Sequence, residues 1–185
     1  MHIQTAKRTY LLRKRRRQLH LPFGAQRFLA LLEGLEGGFA IGASVIVGLS
    51  FANLDRRVLL VSAAIGIMVN GFNNATVKYS SEHYEDELDG REKRSPFKSY
   101  FIPAAIEFLA YFAISFLALI PLVLVSSVYL AMALCCLITL VMLFAAGYWR
   151  GYLMHMHPMR DGREMMLLGA GIITLGAITG YLLHL

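Results

Sequence analysis

Charged residues are scarce in this sequence: only 16% of its 185 residues are charged, whereas 57% are hydrophobic and the mean hydropathy is +0.54. An ordinary soluble domain carries about 25% charged residues. The deficit therefore excludes a soluble globular protein and predicts an integral membrane protein. The net charge of +6 does not indicate nucleic-acid binding, because no folded polar domain remains to present a basic patch.

Cysteine is also rare, and the two cysteines, Cys135 and Cys136, are adjacent within an apolar run. Neighbouring residues on a helix point in different directions, so we expect neither a disulfide between them nor a metal site. The sequence also lacks a nucleophile-and-base arrangement and a zinc-binding helix motif. We therefore expect no enzyme and no permanently bound cofactor.

Long apolar runs are abundant, and each is close to the roughly 20 residues that a helix needs to cross a bilayer. Five membrane spans are predicted, at about 28–51, 58–78, 99–120, 128–148 and 164–184. The third span is expected to end near Pro121. The predicted fold class is all-α and polytopic, with residues 28–185 as one transmembrane domain and the two termini on opposite sides of the membrane.

Basic residues are distributed unevenly between the segments that connect these spans. Residues 1–27 hold eight basic residues and no acid, residues 78–98 hold five and residues 150–163 hold three, against Arg56 and Arg57 on the other side. The positive-inside rule places the N-terminus in the cytosol and the C-terminus outside. We interpret 1–27 as a cytosolic arm at anionic headgroups of a bacterial-type plasma membrane; an organellar transit peptide is the alternative.

The first span carries two acids, Glu33 and Glu36, although it is long and apolar enough to cross the bilayer. Acids within a membrane are costly and usually face a protein interior or a wet cavity. Small residues recur at every fourth position of this span: Ala30, Gly34, Gly38 and Gly42. Such a stripe lets two transmembrane helices approach closely. The first span is therefore expected to line a site beside a partner helix.

Polar side chains of three spans are predicted to lie at one depth. With a rise of about 1.5 Å per residue, they lie roughly 6–12 Å from the cytosolic ends of their helices. Carboxylate and amide oxygens suit Mn²⁺, Fe²⁺ or Mg²⁺, and buried carboxylates also hold protons near neutral pH. The candidate metal ligands at this level are Glu33, Glu36, Asn70, Asn74 and Glu107. Alternatively, these groups hydrogen-bond one another and only hold the bundle together.

The segment between the second and third spans is predicted to be helical as far as Asp89-Gly90. Glu82, Glu85 and Asp86 share a face of this helix through i, i+3 and i+4 spacing. That face is a candidate for collecting divalent cations at the cytosolic mouth. A solvated helix end, balanced by the basic residues that follow, is the alternative.

The stretch 154–159 alternates Met with His155 and His157 before a proline. Thioether and imidazole groups suit copper(I) or zinc. Because alternating residues of one loop rarely close a metal site, an interfacial turn is the preferred interpretation.

Motifs in four of the spans occur in a characteristic order. They are residues 34–38 (Gly-Leu-Glu-Gly-Gly), residues 70–79 followed by Ser-Ser-Glu, residues 103–122 and residues 163–183. Together they resemble the vacuolar iron transporter family over roughly residues 24–185. The resemblance implies five transmembrane helices and a homodimer that exports Fe²⁺ or Mn²⁺ from the cytosol against protons, along a path between the two first helices. It also implies a dimer contact through Gly34, Gly38 and Gly42.

The sequence departs from this family's pattern in three places. Gly37 stands where the first motif has an aspartate, which leaves the carboxylate of Glu36 one position earlier and about 100° around the helix. Asn74 falls where some members have a pore methionine. The long cytosolic metal-binding helices are missing, as in the shorter nodulin-like branch. These departures predict a weaker preference for Fe²⁺ over harder ions, with Glu33 supplying the lost charge. A non-transporting membrane scaffold or assembly protein is the competing interpretation.

Overall fold

The computed structural model describes residues 24–52, 54–91 and 95–184, and within these ranges the chain forms five long helices. They are α1 (Ala25–Phe51), α2 (Arg56–Leu88), α3 (Ile102–Leu124, after a π-helical turn at Phe97–Phe101), α4 (Val128–Leu153) and α5 (Pro158–His184). Each is long and apolar enough to cross a membrane. The prediction of an all-α membrane protein with five spans is therefore confirmed. The basic arm predicted at 1–27 lies outside the described residues, except for 24–27, most of which already belongs to α1.

All five helices extend beyond the apolar runs from which they were predicted, and α2 does so by the largest number of residues. α2 continues from Lys78 to Leu88, and the chain then turns at Gly90, whose φ of 64° suits glycine. The helical prediction for the acidic segment is thus confirmed. Pro121 lies inside α3 rather than at its end, so that boundary was wrong. The guanidinium of Arg56 donates to the carbonyls of Leu122 and Val123, which stabilises the extra turn because such terminal carbonyls lack helical partners.

α1 is the central helix, and it packs against all four others, most extensively against α3 and α5. Its glycine stripe faces α3. A Cβ atom at Gly38 would lie 2.7 Å from the carbonyl oxygen of Tyr111, and one at Gly42 would lie 3.3 Å from Ser115. The hydroxyl of Ser115 donates to the carbonyl of Gly38 at 2.9 Å, so the two backbones are in direct contact.

The glycine stripe therefore packs against a helix of the same chain. Gly34 follows the same pattern, because a Cβ atom there would lie 2.8 Å from the Cβ of Ala110. The prediction that Gly34, Gly38 and Gly42 form the dimer contact is corrected by this finding, whereas the dimer itself stays a prediction. Small residues at four-residue spacing indicate a close helix partner but not whether that partner belongs to the same chain.

One end of the bundle gathers the start of α1, the end of α2, the π-helical turn, the end of α4 and the start of α5. We call it the basic end, since it holds the described residues 78–91, 95–98 and 150–163. Contacts between its helices include the rings of Phe28 and Trp149, whose centroids are 5.7 Å apart. The π-helical turn is held by Tyr100, which is fully buried and donates its hydroxyl proton to Asp86 at 3.0 Å.

Candidate metal site at the basic end of the bundle

A polar cavity of about 330 Å³ lies between α1, α2 and α3 at the basic end. It is lined by Glu33, Asn74, Val77, Lys78, Ser81, Glu82 and Glu107. Four of the eight candidate metal ligands therefore come together here, one from α1, two from α2 and one from α3. The other four, Glu36, Asn70, Glu85 and Asp86, are not part of the lining.

Glu107 is the most enclosed acid of this cavity. Glu107 is only 8% exposed, because the α3 backbone at Glu107 packs directly against Gly34 of α1. Its Oε2 atom has no hydrogen-bond partner among the described residues. A buried polar atom without a partner costs free energy, so this oxygen is well suited to a proton or a cation.

Lys78 links the acids of α1 and α2 across the cavity. Its ammonium forms an ion pair with Glu33 and lies 3.1 Å from Oε1 of Glu82, and its side chain is 10% exposed. The other carboxylate oxygen of Glu82 accepts a hydrogen bond of 2.6 Å from the side-chain amide of Gln26. In the sequence, Lys78 stands at the end of the second predicted span and counts only among the basic residues that orient the chain. Its i, i+4 spacing from Asn74 and Glu82 could have placed it on the same face.

Glu36 points to a different neighbour. Its Oε1 atom lies 3.1 Å from Nη1 of Arg150 on α4, and both side chains are partly buried. Glu33 and Glu36 are three residues apart, so their side chains are separated by about 60° around the helix axis. This angle is enough for the two acids to reach different helices. The expectation that both acids of α1 line one site is therefore corrected: Glu33 faces α2 and Glu36 faces α4.

Gly37, which stands where the family pattern has an aspartate, faces the interior between α1, α2 and α3. A Cβ atom at Gly37 would lie 3.3 Å from the ring of Tyr111 and 3.8 Å from the side-chain nitrogen of Asn74. The Tyr111 ring is fully buried and also touches Gly71, where a Cβ atom would lie 2.7 Å from it. The absent side chain at Gly37 thus leaves room for an aromatic ring that joins three helices.

The remaining predicted ligands have separate surroundings. Asn70 is partly buried, Glu85 is exposed, and Asp86 accepts the hydrogen bond from Tyr100. Glu82 turns to the cavity instead, so the acids predicted to form one collecting face have different neighbours. Over the described ranges, no three His, Cys, Asp or Glu side chains lie close enough together to hold a metal ion as they stand.

The Met-His stretch forms the short turn between α4 and α5. The turn is closed by the backbone N–H of Met156, which donates to the carbonyl of Gly151 at 2.9 Å. His155 has a φ of 52°, and both His155 and His157 are exposed. The stretch is therefore a turn between two helices, and its position at the membrane interface stays a prediction.

The ion pair between Glu36 and Arg150 is expected to stabilise the contact of α1 with α4. In a double-mutant cycle of Glu36→Gln and Arg150→Gln, we expect a coupling energy of roughly 0.5–3 kcal/mol, because the two groups are in contact and partly buried. Unfolding by SDS in mixed micelles measures it. A second cycle of Glu36 with exposed Arg163, which donates to the carbonyl of Met159 on its own helix, serves as the control. Equal coupling in both cycles would contradict the pairing.

The described helices and their cavity define a polytopic membrane protein with acidic groups within its candidate membrane spans. The model of the VIT family matches residues 81–181, which is more than half of the chain and runs from the end of α2 into α5. The chain therefore belongs to the VIT family, a family of membrane metal-ion transporters. The matched range contains Glu82 and Glu107 but neither Glu33 nor Asn74. No curated protein and no solved structure matches the chain.

Proposed function

We propose that the protein exports a divalent metal ion, Fe²⁺ or Mn²⁺, from the cytosol in exchange for protons. The observation that carries this proposal is the buried Oε2 atom of Glu107, which has no hydrogen-bond partner in the described part of the chain. Glu107 lines the cavity together with two further acids. Membership of the VIT family supports metal transport in general.

The chemistry of the cavity supports a hydrated divalent ion. Glu33, Glu82 and Glu107 supply carboxylate oxygens and Asn74 supplies an amide, which are hard ligands suited to Mn²⁺ and Fe²⁺. Because the acids are spread around about 330 Å³, the ion would keep part of its water shell. Protons compete for the same carboxylates, since burial favours the neutral form of an acid. Exchange of metal for protons follows from this competition.

The direction of transport rests on the orientation of the chain. The positive-inside rule places the basic end in the cytosol, so the cavity would take its ion from there. We propose the plasma membrane as the location.

We also propose a homodimer, with a second copy packed into the groove between α2 and α5 at the opposite end. This groove of about 570 Å³ is lined by Gly48 of α1, Gly66 of α2 and Gly180 of α5, of which Gly48 and Gly66 are partly exposed. Small residues of this kind let transmembrane helices approach closely.

Metal flux into proteoliposomes tests the proposed function. Purified protein is reconstituted, a pH gradient is imposed, and entry of Mn²⁺, Fe²⁺, Co²⁺ and Mg²⁺ is followed with a trapped metal-sensitive dye. We expect entry of Mn²⁺ and Fe²⁺ to increase when the lumen is more acidic than the outside, because protons then leave as metal enters. We expect this entry to stop when an ionophore collapses the pH gradient. Protein-free liposomes are the control. Flux of none of the four ions would overturn the proposal.

A non-transporting membrane scaffold is the second candidate function. Two ion pairs favour it, Glu33 with Lys78 and Glu36 with Arg150, because both tie intramembrane acids to basic partners. A scaffold would show no flux but would copurify with a partner protein from native membranes.

A further inference from the structure

Lys78 is enclosed in the cavity by the groups that the proposed function assigns to the metal. Its ammonium pairs with Glu33 and Glu82, and Glu107 and Asn74 line the same cavity. Only 10% of the Lys78 side chain is exposed, compared with 50% for Glu33. A basic side chain at the end of an apolar run usually extends to water at the membrane surface, whereas this one is directed into a pocket of acids.

We propose that Lys78 is a built-in competitor of the transported ion. Its ammonium neutralises Glu33 and Glu82 in the empty site and leaves when a divalent ion arrives. This inference rests on the proposed function and adds to it the residue that determines which ions enter.

The geometry requires this displacement. The ammonium nitrogen lies 3.1 Å from Glu82 and is in contact with Glu33 at the same time. Oxygen ligands of a divalent cation lie about 2.0–2.6 Å from it, so an ion bound by both carboxylates would overlap the ammonium. The long, flexible stem of lysine lets the charged group move to the water at the basic end without a change in the helix backbone.

The balance of charge makes Lys78 a filter against monovalent ions. Three carboxylates and one ammonium line the cavity. Exchange of the ammonium for Na⁺ or K⁺ leaves the charge of the site unchanged, so such an ion gains no Coulomb energy over the tethered group. A divalent ion brings one more positive charge near the acids, where the attraction is stronger than in bulk water. The tethered ammonium therefore excludes monovalent ions and yields to divalent ones.

Amine labelling of the native protein tests the displacement directly. The protein in detergent is treated with an acetylating reagent, with and without Mn²⁺, and the modification of each lysine is quantified by mass spectrometry. We expect Mn²⁺ to increase labelling of Lys78 severalfold, because the displaced ammonium becomes accessible. Exposed Lys98 is the internal control and should not change. A purely structural ion pair would show equal labelling of Lys78 in both samples, which would overturn the inference.

Removal of the Lys78 ammonium tests whether it competes with Mn²⁺ for the carboxylates of the cavity. Lys78→Met keeps an unbranched side chain but lacks the ammonium, and Lys98→Met is the matched control. In equilibrium binding of radioactive Mn²⁺, we expect Lys78→Met to bind about tenfold more tightly, a change of one decade in Kd. We also expect Na⁺ to compete with Mn²⁺ in this variant but not in the native chain. Unchanged or weaker Mn²⁺ binding in a folded Lys78→Met protein would overturn the inference.

The two proposals fail in different ways. If the native chain neither binds Mn²⁺ nor transports any of the four ions, the proposed function is overturned. If the native chain binds and transports Mn²⁺ while Lys78 labelling and the Kd of Lys78→Met stay unchanged, only the role of Lys78 is overturned.

Discussion

Substitution of Glu107 by Gln is expected to lower Mn²⁺ flux by at least about tenfold, because even the loss of an outer-shell partner costs a metal site 10–100-fold in affinity. Glu107 is the buried acid whose Oε2 atom has no hydrogen-bond partner among the described residues. Gln keeps the shape of the side chain, so its packing against α1 is retained while the negative charge and the exchangeable proton are lost. The measurement is the initial rate of Mn²⁺ entry into proteoliposomes at a metal concentration below half-saturation of the native chain.

Two matched variants show whether such a loss is specific. Glu85→Gln removes an exposed acid of α2 outside the cavity and should transport like the native chain. Glu36→Gln removes the acid that pairs with Arg150, and we expect it to lower stability more than the rate of the folded fraction. If Glu107→Gln transports as fast as Glu85→Gln, the cavity is not the path of the ion.

The fold could be predicted from the sequence because the bilayer imposes simple requirements. A spanning helix satisfies its own backbone hydrogen bonds and needs a long apolar run, so hydropathy alone located the five spans. Boundaries were less accurate, since a helix continues past the apolar region wherever its polar residues find partners. α3 passes Pro121 in this way, where Arg56 donates to the carbonyls of Leu122 and Val123, and the turn at Tyr100 fixes the start of α3.

The level of the candidate site was predictable, but its membership was not. Counting residues from the helix ends placed Glu33, Asn74 and Glu107 at one depth, and these three do line a common cavity. Depth does not determine the direction in which a side chain points around its helix. Glu36 therefore paired with Arg150 on α4, and the sequence offered no signal for that contact. Lys78 was missed because it was counted only among the basic residues that orient the chain and not as a neighbour of Asn74 and Glu82 on one helix face.

The glycine stripe shows the same limit for helix packing. Its spacing predicted a close helix partner, and the close contact exists, but with α3 of the same chain. Hydropathy ranks how apolar a helix is and carries no information on which neighbour it meets. The central position of α1 became evident only from the packing of all five helices.

Substitution of Gly38 by Leu is expected to abolish folding rather than dimerisation. A Cβ atom at this position would lie 2.7 Å from the carbonyl oxygen and 3.1 Å from the Cα of Tyr111, and backbone atoms cannot move aside without shifting α3. Overpacking of a well-packed core costs roughly 1–3 kcal/mol where side chains can adjust, and more where they cannot. We expect no monodisperse peak for Gly38→Leu in size-exclusion chromatography of a fluorescent fusion.

The same change at Gly171 provides the control for this prediction. Gly171 lies on α5 with nothing within 4 Å of its Cβ position, so Gly171→Leu adds the same side chain to an open surface. We expect this variant to elute and melt like the native protein. If Gly38→Leu instead gave a folded species of half the native mass, the stripe would be a contact between two copies, and the packing of α1 against α3 would have to be revised. A leucine can be accommodated at Gly38 only if α3 lies farther from α1 than the hydrogen bond from Ser115 to Gly38 allows.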